Sequence, residues 1–160
     1  MKEVSGEIPT IPPAECMYIG ALGFGPRPYA GGYDDLIERA REARALAYAP
    51  YTGFKVGAAL LSRSGQVYSA GNIENVSSGA GICAERAAIV KAIASGESDF
   101  EAIAIVGGTI EPITPCGICR QSLIEFGEDI LVIMANVKGE AITSSVNDLL
   151  PRAFTARCLK

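Results

Sequence analysis

Three cysteines and one glutamate form the part of this chain whose residue types and spacing can support catalysis. Glu85 follows Cys83 by two residues, and two more cysteines lie in Pro115-Cys116-Gly117-Ile118-Cys119. A gap of three residues at the start of a helix brings both sulfur atoms toward one point, and Cys83 would come from the first turn of another helix. Three thiolates on a tetrahedral zinc ion leave one coordination position open. The spacing therefore predicts a catalytic Zn²⁺ site at Cys83, Cys116 and Cys119.

An open position on zinc and a nearby carboxyl group indicate a hydrolytic reaction. Zinc lowers the pKa of a bound water toward ~7. Glu85 is close enough in sequence to a zinc ligand to carry the proton of that water, as a general acid–base. We therefore predict Glu85 as the catalytic residue.

The chain contains 0 histidines, which restricts the chemistry more than any other count. Their absence excludes a Ser-His-Asp triad, a Cys-His pair and every zinc site that needs imidazole. Three thiolates give the zinc site a net charge of about −1 and make the metal less electrophilic. We expect Arg86 and Arg120, together with helix N-termini, to offset that charge.

Length and charge narrow the class of protein. With 160 residues, 49% of them hydrophobic, the chain can fold as one compact domain. It has 14 Lys+Arg against 18 Asp+Glu and no basic run, so we expect no nucleic-acid partner. Neither a signal-peptide pattern nor an apolar stretch of the ~20 residues that span a membrane is visible, so we expect a cytoplasmic protein. Five cysteines suggest reduced thiols, with Cys16 and Cys158 free.

The rest of the pattern predicts alternating strands and helices after an irregular N-terminal arm. Proline and glycine without periodicity predict the arm over residues 1–32, and residues 33–160 then form one catalytic domain. We predict helices over 34–49, 83–94, 116–126 and 146–150, and strands over 54–61, 66–70, 102–106 and 130–134. Asn72 and Glu74 would share one face of a strand. This order predicts an α/β fold with a mixed central sheet covered on both faces.

Several motifs in one order resemble a known family. They run from Tyr48-Ala49-Pro50-Tyr51-Thr52-Gly53-Phe54-Lys55-Val56-Gly57-Ala58-Ala59-Leu60 through Gly71-Asn72-Ile73-Glu74-Asn75 and the two metal motifs to Cys119-Arg120-Gln121 and Leu149-Leu150-Pro151 with Phe154. Together they resemble the small homotetrameric, zinc-dependent cytidine deaminases over roughly residues 48–154. The resemblance implies a three-layer α/β/α sandwich and the deamination of cytidine and deoxycytidine in pyrimidine salvage.

The resemblance also implies roles for individual residues. Asn72 and Glu74 would hold the ribose hydroxyls, Phe54 would stack on the pyrimidine, and the Ala84 backbone would bond to the base. Phe154 would reach the active site of a neighbouring subunit in a homotetramer. Arg86 would donate to the zinc thiolates, and Gln121 would support the site from behind. Ser78 stands where many members have a tyrosine, so that ring's contacts do not transfer.

Two other functions remain open at this point. One is a deaminase for a modified cytosine nucleoside such as blasticidin S, against which Asn72-Ile73-Glu74-Asn75 argues. The other is a noncatalytic oligomeric binding domain stabilised by a structural zinc, closed by Cys16 or Cys158. A structural site would gain nothing from Glu85, so we favour the enzyme.

Overall fold

The computed structural model describes residues 31–159. All of the predicted N-terminal arm except its last two residues, and Cys16 with it, lies outside that range. The regular elements are α1 (Tyr33–Ala45), β1 (Gly57–Ser62), β2 (Val67–Gly71), α2 (Ala84–Ala94), β3 (Phe100–Gly107), α3 (Gly117–Ile124), β4 (Leu131–Asn136), β5 (Ala141–Ser145) and α4 (Val146–Leu149). Short 3₁₀ turns occur at Ser78–Ala80 and Ala156–Leu159.

The strands form one five-stranded sheet in the order β2-β1-β3-β4-β5. Three neighbouring pairs are antiparallel, whereas β3 and β4 are parallel, with Ile103 opposite Val132. Parallel neighbours need a crossover connection, and the segment containing α3 supplies it. The predicted mixed sheet is therefore present. Its parallel pair places the start of α3 just beyond the end of β3.

Helices cover both faces of the sheet, which gives three layers. On one face α1 buries Leu36 and Ala40 against side chains of β1, β3 and β4, four of which are alanines. On the other face α2 and α3 pack with Leu60, Ile103 and Val132 at the centre. Successive strand residues point to opposite faces, and both faces are covered, which explains why β1 and β3 are almost continuously apolar.

Two glycines let the C-terminal part of α1 lie directly on the sheet. Gly57 and Gly71 face each other in the β1–β2 register. A Cβ at Gly57 would lie 2.0 Å from the carbonyl oxygen of Ala40, and one at Gly71 would lie 2.7 Å from Cα of Ala47. Backbone atoms cannot give way as a flexible side chain can, so any side chain at either position would push the helix away.

The structure differs from the sequence prediction at several boundaries. Helix α1 begins after Gly32 and ends at Ala45, so the buried Ala47 lies beyond the helix. Strand β1 begins at Gly57, which places Phe54 in the preceding loop, and Asn72 and Glu74 lie beyond the end of β2 rather than on a strand face. Only the bridges of Ile73 to Tyr48 and Ile82 continue pairing there.

Strand β5 was missed because its sequence carries no apolar alternation. It is an edge strand whose residues are exposed or half-buried. The turn before it depends on tertiary position: the buried Asn136 accepts hydrogen bonds at Oδ1 from the backbone N–H groups of Lys138 and Glu140. Across residues 31–159, every helix falls short of the length and apolar character that a membrane crossing requires.

Candidate metal centre and active site

The three predicted zinc ligands meet at the N-termini of two helices. Cys83 is the N-cap of α2, Cys116 is the N-cap of α3, and Cys119 lies in the first turn of α3. The sulfur atoms of Cys83 and Cys116 are 3.8 Å apart, and those of Cys116 and Cys119 are 3.5 Å apart. Tetrahedral zinc with Zn–S of about 2.3 Å holds its sulfur ligands about 3.8 Å from one another. The donor set therefore fits a zinc ion in both chemistry and spacing.

The protonation of the thiols indicates that a cation is needed to ionise all three. Burial raises the pKa of Cys83 and of Cys119, and the nearby Glu85 raises both further. Burial also acts to raise the pKa of Cys116, but the backbone N–H of Cys119 and the neighbouring thiols outweigh it, so this pKa is lowered. The protein alone thus favours one thiolate, and a divalent metal would supply the charge for the other two.

Among the described residues, these three cysteines form a cluster that could hold a metal ion, with ligand atoms all within 4.8 Å of one another. Cys158 is exposed near the end of the chain and does not belong to this cluster. The suggestion that Cys158 closes a structural site therefore has no support in the geometry.

Glu85 lies in the first turn of α2, beside the cluster, and is only 4% exposed. Burial raises its pKa, and interactions with its own backbone N–H and with Cys119 oppose that rise. A carboxyl group in such surroundings can exchange a proton near neutral pH. Ala84, fully buried between Glu85 and Cys83, begins the helix and places its backbone at the same site.

The two arginines next to the motif have contacts that the sequence did not predict. Arg86 donates to the carbonyl oxygen of Gly81 at 3.3 Å, and its buried Nε has no hydrogen-bond acceptor among residues 31–159. Arg120 donates instead to the carbonyl oxygens of Pro115 and Leu149, each at 2.8 Å. Arg120 therefore holds the loop before α3 to the end of α4, and only Arg86 has a nitrogen left to interact with the charge of the centre.

Gln121, for which the sequence suggested no partner, is bonded to the C-terminal segment. Its side-chain Nε2 donates to the carbonyl oxygen of Phe154 at 2.8 Å. The Phe154 ring is 62% exposed. Helix α3 thus carries two zinc ligands and also, through Arg120 and Gln121, fixes the path of the chain that presents Phe154.

The predicted substrate residues Phe54, Asn72 and Glu74 come together in one hydrogen-bonded loop. Asn72 donates from Nδ2 to the carbonyl oxygen of Phe54 at 3.1 Å and accepts from the N–H of Val56 at 2.8 Å. Glu74 accepts from the N–H groups of Tyr51 and Thr52 at 2.8 and 3.2 Å and from the Thr52 hydroxyl. The Thr52 hydroxyl is the main reason that the pKa of Glu74 is lowered. Glu74 is therefore a carboxylate at neutral pH.

Thr52 is the residue of this loop that sequence reasoning missed. Its hydroxyl also accepts from the N–H of Phe54 at 2.9 Å. A threonine two residues before a phenylalanine gives no signal by itself, because its bond to Glu74 spans 22 positions in sequence. The position of Gly53 at φ 71° allows the sharp turn that brings these groups together.

Comparisons with known proteins place this site in a family. The sequence model described as "Cytidine and deoxycytidylate deaminase zinc-binding region" matches residues 32–135. A cytidine deaminase of Halalkalibacterium halodurans is 48% identical over 122 residues, covering 76% of this chain and 92% of that protein. A blasticidin-S deaminase of Bacillus cereus is 29% identical over 129 residues, covering 76% of this chain and 91% of that protein.

A solved structure agrees with the fold. The crystal structure of cytidine deaminase from Burkholderia pseudomallei matches with a TM-score of 0.76 and 48% identity, covering 78% of this chain and 100% of that one. The predicted three-layer α/β/α sandwich with a mixed central sheet is confirmed. The extent of the family match and the identity to these relatives show that this chain belongs to the cytidine and deoxycytidylate deaminase family of zinc-binding hydrolytic deaminases.

Proposed function

We propose that this protein deaminates cytidine and deoxycytidine hydrolytically, giving uridine or deoxyuridine and ammonia, as a step of pyrimidine salvage. The observation that carries the proposal is the buried carboxyl group of Glu85 beside three clustered cysteine sulfurs, in a chain of this family. The two carboxyl-free alternatives for such a cluster, a core thiol group or a structural zinc, leave Glu85 without a purpose.

In this proposal Cys83, Cys116 and Cys119 hold zinc, which supplies an activated water for attack at C4 of the pyrimidine. Glu85 takes up the proton of that water, delivers it to N3, and later gives a proton to the departing amino group. The C4–N bond breaks, the water oxygen becomes the O4 carbonyl, and ammonia leaves. The Ala84 backbone holds the base next to Glu85, and the unsatisfied Nε of Arg86 is directed at the charge of the thiolates.

The loop around Phe54 supplies recognition of the nucleoside. The ring is 45% exposed and is therefore free to stack on a base. Asn72 uses one of its two amide N–H groups on Phe54, so the other remains for a sugar hydroxyl. Glu74 accepts three hydrogen bonds within the loop, and a carboxylate can accept about four. One lone pair remains to accept from a hydroxyl.

The alternative substrate, a modified cytosine nucleoside, has weaker support. The blasticidin-S deaminase relative is 29% identical, against 48% for the cytidine deaminase of H. halodurans. The free donor and acceptor of Asn72 and Glu74 also suit the diol of an ordinary sugar. A noncatalytic zinc domain is disfavoured by the burial of Glu85 beside the cluster.

We further propose a cytoplasmic homotetramer in which Phe154 completes a neighbouring site. Large apolar side chains are exposed on the elements that build the site, among them Ile118 on α3 and Val90 and Ile93 on α2, together with the ring of Phe154. Cys116 is also exposed. Exposed apolar surface around a site that must exclude water favours cover by another subunit.

The test is a spectrophotometric assay with cytidine, deoxycytidine, cytosine and CMP, with zinc measured on the same sample. We expect both nucleosides to be deaminated. Free cytosine, which leaves the sugar-binding groups unsatisfied, should have a kcat/KM at least about tenfold lower. CMP should also be poorer, because Glu74 repels a phosphate that comes close. Equal turnover of cytosine or CMP would overturn the nucleoside assignment, and failure on all four would overturn the activity.

A further inference from the structure

The Thr52 hydroxyl joins two groups that the proposed function assigns to different parts of the substrate. It donates to Oε1 of Glu74, the proposed sugar carboxylate. The same oxygen accepts from the backbone N–H of Phe54, the proposed base-stacking residue, at 2.9 Å. One hydroxyl thus bridges the sugar side and the base side of the nucleoside site.

The backbone of Phe54 is held from both sides by side chains. Thr52 accepts from its N–H, and Asn72 donates to its carbonyl oxygen at 3.1 Å. The ring itself is about half exposed and is not packed into either core cluster of the described residues. Packing therefore does not fix the ring, and the hydrogen bonds to its backbone do.

The carboxylate of Glu74 is oriented in the same way. Both of its oxygens are engaged, Oε1 by the Thr52 hydroxyl and Oε2 by the N–H groups of Tyr51 and Thr52. Without the hydroxyl, Oε1 would lose its partner within the loop and the carboxylate could rotate about its bond to Oε2. The lone pair left for a sugar hydroxyl would then no longer have a fixed direction.

We propose that Thr52 is a positioning residue for nucleoside recognition, which fixes the Glu74 carboxylate and the Phe54 backbone relative to each other. This inference rests on the proposed deaminase function and adds to it the residue on which the geometry of sugar and base binding depends. Thr52 is not one of the clustered cysteines and does not contact Glu85 in the described hydrogen bonds. Its loss should therefore weaken substrate binding and leave zinc binding intact.

The experiment compares Thr52→Val, which keeps the shape and removes the hydroxyl, with Thr52→Ser, which keeps the hydroxyl. Thr52→Ala serves as a second variant without the hydroxyl, and Thr143→Val, on the exposed edge strand β5, is the matched control. For Thr52→Val and Thr52→Ala we expect KM for cytidine to rise about tenfold, the size expected for one hydrogen bond to a charged group, with kcat changed less than about threefold. Thr52→Ser and Thr143→Val should stay within about threefold of the unmodified protein.

A double-mutant cycle with Glu74→Ala separates positioning from a general structural role. If Thr52 acts through Glu74, the loss caused by Thr52→Val should be smaller in the Glu74→Ala background by at least about threefold. Zinc content and unfolding temperature should be the same in all single variants. A purely structural effect would lower kcat and zinc content as well, and serine would not rescue a lost shape.

The two levels of the argument fail differently. If the unmodified protein does not turn over cytidine, the proposed function is wrong, and the positioning role falls with it. If the unmodified protein is active but Thr52→Val and Thr52→Ala both keep its KM, the positioning role alone is wrong. The same conclusion follows if Thr52→Ser is as impaired as Thr52→Val, or if the loss is equal in both Glu74 backgrounds.

Discussion

Replacing Glu85 by glutamine removes the ability to carry a proton and keeps almost the same side-chain shape. The side chain is 4% exposed and lies in the first turn of α2 beside the three cysteine sulfurs. An amide in that position has no charge to desolvate, whereas burial raises the pKa of the carboxyl group. Glu85→Gln should therefore fold and bind zinc, because neither the cysteines nor the helix N-terminus changes.

The expected loss of activity follows from the role assigned to the carboxyl group. General acid–base catalysis contributes about 10²–10⁴-fold. Each factor of ten equals about 1.36 kcal/mol in the barrier, so the variant should lose about 2.7–5.4 kcal/mol of transition-state stabilisation. We expect the free energy of unfolding to change by about 1 kcal/mol or less, the size of one ordinary hydrogen bond. Catalysis should thus fall far more than stability.

The assay follows loss of cytidine absorbance, with zinc and unfolding measured on the same preparations. Glu101→Gln is the matched control, since it makes the same chemical change at an exposed position of β3 and should retain full activity. If Glu85→Gln with full zinc keeps kcat/KM within about tenfold of the unmodified protein, Glu85 is not the proton carrier. Loss of zinc in this variant would instead mean that the carboxyl group holds the metal.

Three further predictions concern the metal, the packing of α1 and the assembly. Elemental analysis should find about one zinc per chain, and Cys83→Ser should lower both zinc content and activity; a fourth protein ligand would contradict the catalytic site. Gly57→Ala should cost at least about 1–3 kcal/mol in urea unfolding, because its Cβ would lie 2.0 Å from the Ala40 carbonyl oxygen. Gly79→Ala, where nothing lies within 4 Å, should be nearly neutral, and similar losses in both would refute the close packing. Light scattering should give about four times the chain mass of 16.7 kDa, and a fully active monomer would exclude the proposed tetramer.

The metal cluster could be predicted from sequence because its geometry is largely local. Cys116 and Cys119 lie on one helical turn, and a capping position before a second helix supplies Cys83. The parallel pair of β3 and β4 then places the start of α3 at the end of the sheet. Alternating strand and helix signals also sufficed for the layers of the fold, since the apolar runs of β1 and β3 require cover on both faces.

The substrate loop could not be predicted, because its bonds join distant positions. The sequence placed Asn72 and Glu74 on a strand, but the structure uses Asn72 to end the pairing and to hold Phe54. Strand β5 was missed for a related reason. An edge strand with little burial has no hydrophobic pattern, and its existence depends on pairing with β4.

The sequence by itself determined the chemistry available to this protein. With 0 histidines and a Cys-x-Glu motif followed by Cys-x-x-Cys, it left three thiols and one carboxyl group as the reactive set. The tertiary structure alone decided how those groups are supported. The contact of Gln121 with Phe154, the bridge formed by Thr52 and the contact of α1 with Gly57 join residues far apart in sequence. Only the packing of the sheet and its helices brings such groups within hydrogen-bond or van der Waals distance, because residue identity and spacing carry no information about them.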